Sequence, residues 1–324
     1  MVKLNTNLNN NQRSNMNITS NILNFKVQKP IQIGRLSIFP LSSQLQNKEE
    51  QYLFLDDALN QKLADISEVD PKAAGPNFYR KIKVVNKSSL PLLILGGEQI
   101  IGYRLRQNRI VAYSVLISGN SSAIIDVNCS EKSRWSRHVN DDISTSKFLY
   151  FERANLGRQF KIWEDNLNKL KDFQVKSFTQ SIQEFYKKLE VNNNGRIEFE
   201  LGNHDIGLAI GTNNKIRSID FFGSSKILKK YFKKIIKSAS LNIFVKPKYK
   251  SFLKQVDVYK FIDLVKESTK YFKKSDKTVL GSRLRFYSEE INGNVLINGD
   301  NIIHGSFFAE DGLVNNPEKM YYAA

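Results

Sequence analysis

Two glutamates, Glu98 and Glu131, have the residue type and setting for acid–base chemistry in this 324-residue sequence. Each lies just beyond a strand-like apolar run, and Glu98 follows Gly96-Gly97, where glycine permits a sharp turn and close ligand approach. Two carboxylates brought together by a sheet can divide the acid and base roles or share a divalent metal. Glu98 also fits a ribose-binding group or the ion-pair partner of Arg109 at a hairpin end.

The same stretch holds side chains that can bind a nucleotide. Guanidinium groups at Arg109 and Arg134 suit a pyrophosphate, although they also fit ordinary charge on a sheet surface. Asn108 can read an adenine edge or close a turn, and Trp135 can stack on a base or pack at the rim of a core. We therefore predict catalytic roles for Glu98 and Glu131, and ligand-binding roles for Gln107, Asn108, Arg109, Arg134 and Trp135.

The single cysteine and three histidines predict neither a disulfide framework nor a Cys-rich zinc site. Cys129 could act as a nucleophile if His304 or His138 lay beside it, because only the thiolate attacks. A cysteine at a strand end is more often a small buried residue. We expect that role for Cys129 and a structural role for His304, and we assign no metal ligands.

The formal charge of +17 would suit a polyanionic partner. Residues 226–277 hold 16 Lys, no Arg and 4 Asp or Glu, and so contribute most of the excess. We expect a solvated basic face there. Nucleic-acid binding through the Lys226 to Lys277 face is the competing interpretation, but aromatic residues do not alternate with these lysines as base-stacking platforms would.

The sequence lacks the features of a membrane or exported protein. No apolar run approaches the roughly 20 residues that span a bilayer, and the N-terminus has no signal-like apolar core. We predict a cytoplasmic protein without a membrane partner, and the sequence leaves the oligomeric state open.

Composition and patterning predict an α+β fold. The Asn-rich residues 1–24 are expected to be a disordered tail, and 25–324 a single domain. Within it, residues 25–142 form a β-rich lobe, an antiparallel sandwich or barrel-like sheet, because short strand-like runs alternate with turns. Residues 143–324 form a helical lobe with closing strands.

Individual elements follow from periodicity and turn chemistry. Strands are predicted over 31–40 (stopped by Pro40), 79–85, 90–95, 110–117, 123–128, 196–201, 207–210, 216–222, 283–287, 294–297 and 302–308. Helices are predicted over 53–65, from about 224, over 256–272, and around two inward stripes, Phe160, Trp163, Leu167 and Leu170, then Phe178, Ile182, Phe185 and Leu189. Asn292-Gly293 and Asn298-Gly-Asp300 are predicted hairpin turns.

The central segment resembles a known family. Its blocks are Leu92 to Gly102 (LLILGGEQIIG), Gln107-Asn-Arg109, Val127-Asn-Cys-Ser-Glu131 and Arg134-Trp135. Together they resemble the ARG and rhodanese-phosphatase-superfamily-associated protein domain, in which ARG means ADP-ribosylglycohydrolase. Weaker blocks extend the resemblance to about residues 31 to 310.

Three parts of the sequence differ from the typical pattern of this family. Gln99 stands where a second acidic residue is typical, Tyr103 to Arg106 replaces a short Ala-Lys-like spacer, and Ser130 to Trp135 reads SEKSRW in place of VEQGRW. The resemblance implies a connection with ADP-ribose or NAD-derived nucleotides and supplies no mechanism. Our leading hypothesis is a nucleotide-directed protein that processes such ligands in a stress or defence context, as a hydrolase or transferase. The alternative is a non-catalytic sensor that uses the same pocket.

Overall fold

Antiparallel strands dominate the structure, a computed structural model. It describes residues 23–44, 46–47, 51–74, 77–102, 105–134, 142–192, 199–212, 214–241, 253–268, 273–277 and 280–310. Residues 1–22 of the expected tail and residues 196–198 of the expected strand 196–201 lie outside these ranges, and residues 199–201 are not in a strand. The strands are β1 Lys26–Val27, β2 Ile31–Ile33, β3 Leu36–Ser42, β4 Leu53–Phe54, β5 Ala64–Glu68, β6 Lys81–Asn86, β7 Leu92–Ile94, β8 Gln99–Ile101, β9 Arg109–Val111, β10 Val115–Ile117, β11 Ser121–Cys129, β12 Ser144–Thr145, β13 Asp205–Thr212, β14 Lys215–Phe222, β15 Lys273–Lys277, β16 Ser282–Tyr287, β17 Ile291–Asn298 and β18 Asn301–Ala309.

The strands form three sheets. The large sheet has the order β1-β3-β13-β14-β18-β17-β16-β15, with β2 paired to β3. A second sheet has the order β12-β8-β9-β11-β6-β5 and a third the order β10-β7-β4. Among the described strands the pairing is antiparallel except between β4 and β7. The α+β prediction with a β-rich, antiparallel first half is confirmed, and the large sheet also draws β1 to β3 from that half.

Two long helices cover opposite faces of the large sheet. The helices are α1 Leu55–Asn60, α2 Pro71–Ala74, α3 Gln159–Asp172, α4 Ile182–Asn192, α5 Ser225–Ser240 and α6 Gln255–Ser268. Phe221 and Phe222 are neighbours in β14, so their side chains point to opposite faces. Phe222 belongs to the core under α5, whereas Phe221 belongs to the core under α6. None of the helices within the described ranges is both long and apolar enough to cross a membrane.

Pro40 does not end a strand. The predicted strand 31–40 is a hairpin of β2 and β3, with Gly34 at φ +60°, and β3 continues through Pro40 to Ser42. Along the edge of β3, β2 pairs with residues 36–38 and β1 with residues 41–42. Pro40 lies between these two short partners, where its missing N–H is tolerated.

The predicted strand 110–117 is two strands. β9 ends at Val111 and β10 begins at Val115, so residues 112–114 leave the ladder. This break separates the second sheet from the third. It also brings Tyr113 and Ser114 against the large sheet, a placement that matters for the site.

Further predictions of local structure were wrong. Asn292-Gly293 lies inside β17, and the turn occupies residues 288–290. Phe160 and Phe178, placed in inward helical stripes, are 71% and 104% exposed. Phe178 also precedes α4, which begins at Ile182, so it lies outside the helical stripe.

Candidate functional site

The turn Gly96-Gly97-Glu98 lies between the large sheet and the second sheet. The Gly96 N–H donates to Oγ of Ser114 at 2.9 Å, and a Cβ on Gly96 would come within 3.1 Å of the Ser114 nitrogen. Gly97 has φ +93°, and a Cβ there would meet Cγ of Arg153 at 3.1 Å. A side chain at either glycine would therefore be tight against a close neighbour, and the positive φ of Gly97 also favours glycine.

Glu98 is buried in a charged cluster at this turn. Nζ of Lys234 in α5 donates to Oε1 of Glu98 at 3.1 Å and to Oδ1 of Asp56 at 2.8 Å. Thr145 donates to the same Asp56 oxygen. Oε2 of Glu98 accepts from the Leu95 N–H at 3.0 Å.

The cluster shifts the pKa of both charged partners of this pair. Burial raises the pKa of Glu98, and the neighbouring Lys234 only partly offsets that shift. Burial also acts to lower the pKa of Lys234, but Glu98 and Asp56 outweigh it and raise the pKa. A glutamate that binds its proton more readily than usual is suited to acid–base work.

A second buried network crosses to the large sheet. Arg153 donates from both Nη atoms to Asp220, with Nη1 3.0 Å from Oδ2. Nε2 of His304 lies 3.3 Å from Oδ1 of Asp220, and Nδ1 lies 2.8 Å from Oγ of Ser114. The network ends at the Gly96 N–H described above, so it joins β14 and β18 to the glycine turn.

The pKa values fix the direction of these hydrogen bonds. Burial alone would raise the pKa of Asp220, but Arg153 and His304 together lower it to about 2. Burial lowers the pKa of His304. Asp220 is thus an ionised acceptor, so neutral His304 donates from Nε2 and accepts the Ser114 hydroxyl proton at Nδ1.

Ser114, His304 and Asp220 have the residue types of a catalytic triad, but their surroundings differ from one. Ser114 and His304 are each 1% exposed and Asp220 is fully buried. The Ser114 oxygen already accepts from Gly96, and a nucleophile must reach a substrate carbonyl or phosphoryl group. The network is therefore suited to holding the glycine turn in place.

Glu131 lies in a third cluster with three of the predicted ligand-binding residues. Its Oε2 accepts from the Asn108 N–H at 2.9 Å and from Nε of Arg134 at 2.7 Å, and its Oε1 accepts from Thr179 at 3.1 Å. Oε1 of Gln107 accepts from the Glu131 N–H at 3.2 Å. The buried Nε2 of Gln107 has no hydrogen-bond partner among the described residues.

Arg109 belongs to a fourth cluster, with Glu68 and Cys129. Its side chain is fully buried, and Nη2 contacts both Glu68 carboxylate oxygens at 2.9 and 3.0 Å. Nη1 donates to the Tyr79 carbonyl at 2.8 Å and lies 2.9 Å from Sγ of Cys129. Trp135 and His138 lie outside the described residues. The predicted site residues are therefore divided among separate clusters, and their functional roles stay predictions.

Cys129 should be unreactive in the folded protein. Burial raises the pKa of its thiol, and the adjacent Arg109 only partly offsets this. We expect aromatic disulfide reagents at about neutral pH to modify Cys129 far more slowly than a free thiol, and rapidly once urea unfolds the chain. Native-state reaction at the free-thiol rate would contradict this.

A cavity of about 270 Å³ opens beside the Arg153–Asp220 pair. Its polar wall includes Arg153, Arg217, Glu152, Thr212, Ser218 and Ser238, and its apolar wall includes Leu36, Ile210, Ile235 and Phe308. Nε of Arg217 donates to Oγ1 of Thr212 at 3.3 Å. The buried Nε of Arg153 has no hydrogen-bond partner among the described residues.

Sequence reasoning missed Arg153, Asp220, Lys234 and Ser114. Asp220 carried a usable signal, because a carboxylate inside the apolar run Ile219-Asp-Phe-Phe222 must be paired if that run is buried. Lys234 looked like one of many surface lysines. Part of the predicted basic face is in fact paired with acids, since Lys230 binds Asp57 and Lys234 binds Glu98.

The fold and these clusters define an α+β protein with charged groups buried between its sheets. Among the described side chains, no three His, Cys, Asp or Glu residues form a group that could hold a metal ion. Residues 24–308 match the family described as ARG and Rhodanese-Phosphatase-superfamily-associated Protein domain, and the chain belongs to that family. No curated protein and no solved structure matches the chain.

Proposed function

We propose that this protein binds an ADP-ribose-type nucleotide, with a phosphate-bearing part of the ligand in the cavity beside Arg153. The family name, which refers to ADP-ribosylglycohydrolases, supports the ligand class. The observation that carries the proposal is the wall of this cavity, where Arg153 and Arg217 occur with the hydroxyls of Thr212, Ser218 and Ser238.

The chemistry of the wall suits a phosphorylated sugar. Guanidinium groups bind phosphate oxygens through charge-assisted hydrogen bonds, and hydroxyl side chains match the hydroxyls of a ribose. Phe308 and Ile235 offer apolar surface for the flat side of a ring. About 270 Å³ lies just below the usual range for small-molecule sites, so the cavity takes part of such a ligand and the remainder extends outside.

Of the two predicted acid–base residues, Glu98 and Glu131, Glu98 is the one linked to this cavity through its neighbours. Gly97, its neighbour, packs against Arg153, and Lys234, its ion-pair partner, precedes the cavity residue Ile235. Glu131 has no described contact with the cavity wall, and its proposed role would require a ligand that extends to the Gln107 cluster. Turnover by Glu98 makes the protein a hydrolase or transferase, and binding without turnover makes it a sensor.

Ligand binding is tested by calorimetry and thermal shift with ADP-ribose, NAD and AMP. Arg217→Gln removes one phosphate-binding group, and we expect it to weaken ADP-ribose binding by about tenfold. Ala239→Leu fills the cavity without changing any charge and should weaken binding similarly. Arg35→Gln, next to the cavity residue Leu36 in sequence but not itself part of the cavity wall, removes the same group as a control and should bind normally.

The outcomes are distinct. Failure of all three nucleotides to bind the wild-type protein, or full binding by both cavity variants, would overturn the proposal. Product analysis after incubation with ADP-ribose and an ADP-ribosylated peptide separates enzyme from sensor. If product forms, Glu98→Gln should abolish its formation while binding persists, and unchanged turnover would exclude the role of Glu98.

A further inference from the structure

Tyr113 lies against two arginines of one strand. Cζ of Arg283 is 4.0 Å from the centre of the Tyr113 ring, and Cζ of Arg285 is 4.2 Å from it. Alternate residues of a strand are roughly 7 Å apart on one face, which is the spacing that admits an aromatic ring between them. The two Cζ atoms can therefore be no farther apart than the sum of these two distances to the ring centre, so the two positive charges lie close together.

Arg285 ends a row of polar residues that crosses the large sheet. Asp220 of β14 is directly opposite Ser306 of β18, Ser306 is opposite Asn294 of β17, and Asn294 is opposite Arg285 of β16. On the far side of Arg285 the next cross-strand residue is Lys273 of β15. At the acidic end of the row Arg153 pairs with Asp220, whereas no described carboxylate pairs with Arg285 at the basic end.

The described ion pairs on this side of the sheet do not include Arg285. Asp220 pairs with Arg153, Glu310 pairs with Arg158, and the half-exposed Asp126 lies 3.9 Å from Arg283. Arg285 forms no ion pair with any described side chain. Its Nε is buried without a hydrogen-bond partner in the described part of the chain, so this one N–H has lost hydration without gaining an acceptor.

We propose that the basic corner formed by Arg283, Arg285 and Tyr113 is an anion site for phosphate or a phosphate monoester. Arg285 is only partly buried, so part of its side chain remains open to solvent. A tetrahedral dianion at that open side neutralises the unpaired charge and relieves the repulsion between the two guanidiniums. Tyr113 holds both guanidiniums in place before the anion arrives, which lowers the entropic cost of binding.

The site is distinct from the cavity beside Arg153. None of Tyr113, Arg283 and Arg285 lines that cavity. The proposal therefore stands or falls independently of nucleotide binding there.

The test is anion-dependent stabilisation of the full chain at constant ionic strength. Sodium phosphate and glycerol 3-phosphate are titrated against sodium chloride while the melting temperature is followed. We expect saturable stabilisation by a phosphate compound and none by chloride. A stronger effect of glycerol 3-phosphate assigns the site to a monoester, and a stronger effect of phosphate assigns it to the free ion.

Two variants of Arg285 test the position. Arg285→Gln should abolish the saturable stabilisation, and Arg285→Lys, which keeps the charge but loses the planar fork, should weaken it by about tenfold. Arg35→Gln controls for the loss of one charge elsewhere and should respond like wild type. Absence of saturable stabilisation in wild type, its survival in Arg285→Gln, or its equal loss in Arg35→Gln would each overturn the proposal.

Discussion

Replacing Arg153 with leucine is expected to lower the free energy of unfolding by about 3–5 kcal/mol, because it leaves the carboxylate of Asp220 buried without its main counter-charge. Asp220 is fully buried, and Arg153 contacts it through both Nη atoms. His304 is the other described partner of this carboxylate, and burial lowers the pKa of His304, which favours its neutral form. Urea denaturation at about neutral pH measures the loss.

The matched control is Arg158→Leu. Arg158 pairs with Glu310, and both side chains are about one-fifth exposed, so solvent screens this pair. We expect a loss of only about 1 kcal/mol or less there. Equal losses in the two variants would show that burial of Asp220 does not determine the cost.

The contribution of Asp220 should disappear in acid. Its folded-state pKa of about 2 lies below the ordinary aspartate value of 3.8. A lowered folded-state pKa stabilises the protein above the unfolded-state value, and this stabilisation is lost as the pH falls through the folded-state value. The gap in stability between wild type and Arg153→Leu should therefore narrow between about pH 4 and pH 2.

Replacing Glu68 with alanine is expected to cost about 3–5 kcal/mol, since it leaves Arg109 charged, buried and without a carboxylate partner. Arg109 is fully buried and the Glu68 side chain is 6% exposed. The remaining described contacts of the guanidinium are the Tyr79 carbonyl and the Cys129 sulfur, which are neutral. Denaturant unfolding again gives the measurement.

A double variant identifies the cause. Arg109→Leu combined with Glu68→Ala removes both charges, and we expect it to be more stable than Glu68→Ala alone, because no unpaired ion remains. Glu68→Gln should fall between wild type and Glu68→Ala. A double variant less stable than the single one would mean that the arginine stabilises the fold through contacts other than its charge.

Local patterns predicted the strands better than the turns and strand ends. Asn298-Gly-Asp300 is the predicted turn, with Gly299 at φ +58°. Asn292-Gly293 has the same chemistry but lies within β17, because a Cβ on Gly293 would collide with the Phe307 ring at 2.3 Å. A glycine required for a turn and one required for close packing look alike in a sequence, since the neighbour that decides is remote.

Prediction of the site was limited in the same way, because the deciding contacts join residues that are far apart in the sequence. Glu131 and Arg134 are three residues apart and do meet, because both belong to one local segment. The partners of Glu98 and Asp220 are Lys234 and Arg153, which are 136 and 67 residues away. No periodicity or spacing connects residues at that separation, so the sequence identified Glu98 but not its cluster.

The glycine turn has a consequence for how the protein opens. Glu98 ties the second sheet to α5, and Gly96, through Ser114 and His304, ties it to Asp220 in the large sheet. If either sheet moved away alone, a buried charged group would be left in the apolar layer without its partner. The sheets should consequently share one unfolding transition, and slow amide hydrogens in β9 should exchange with the same free energy as those in β14 and β18.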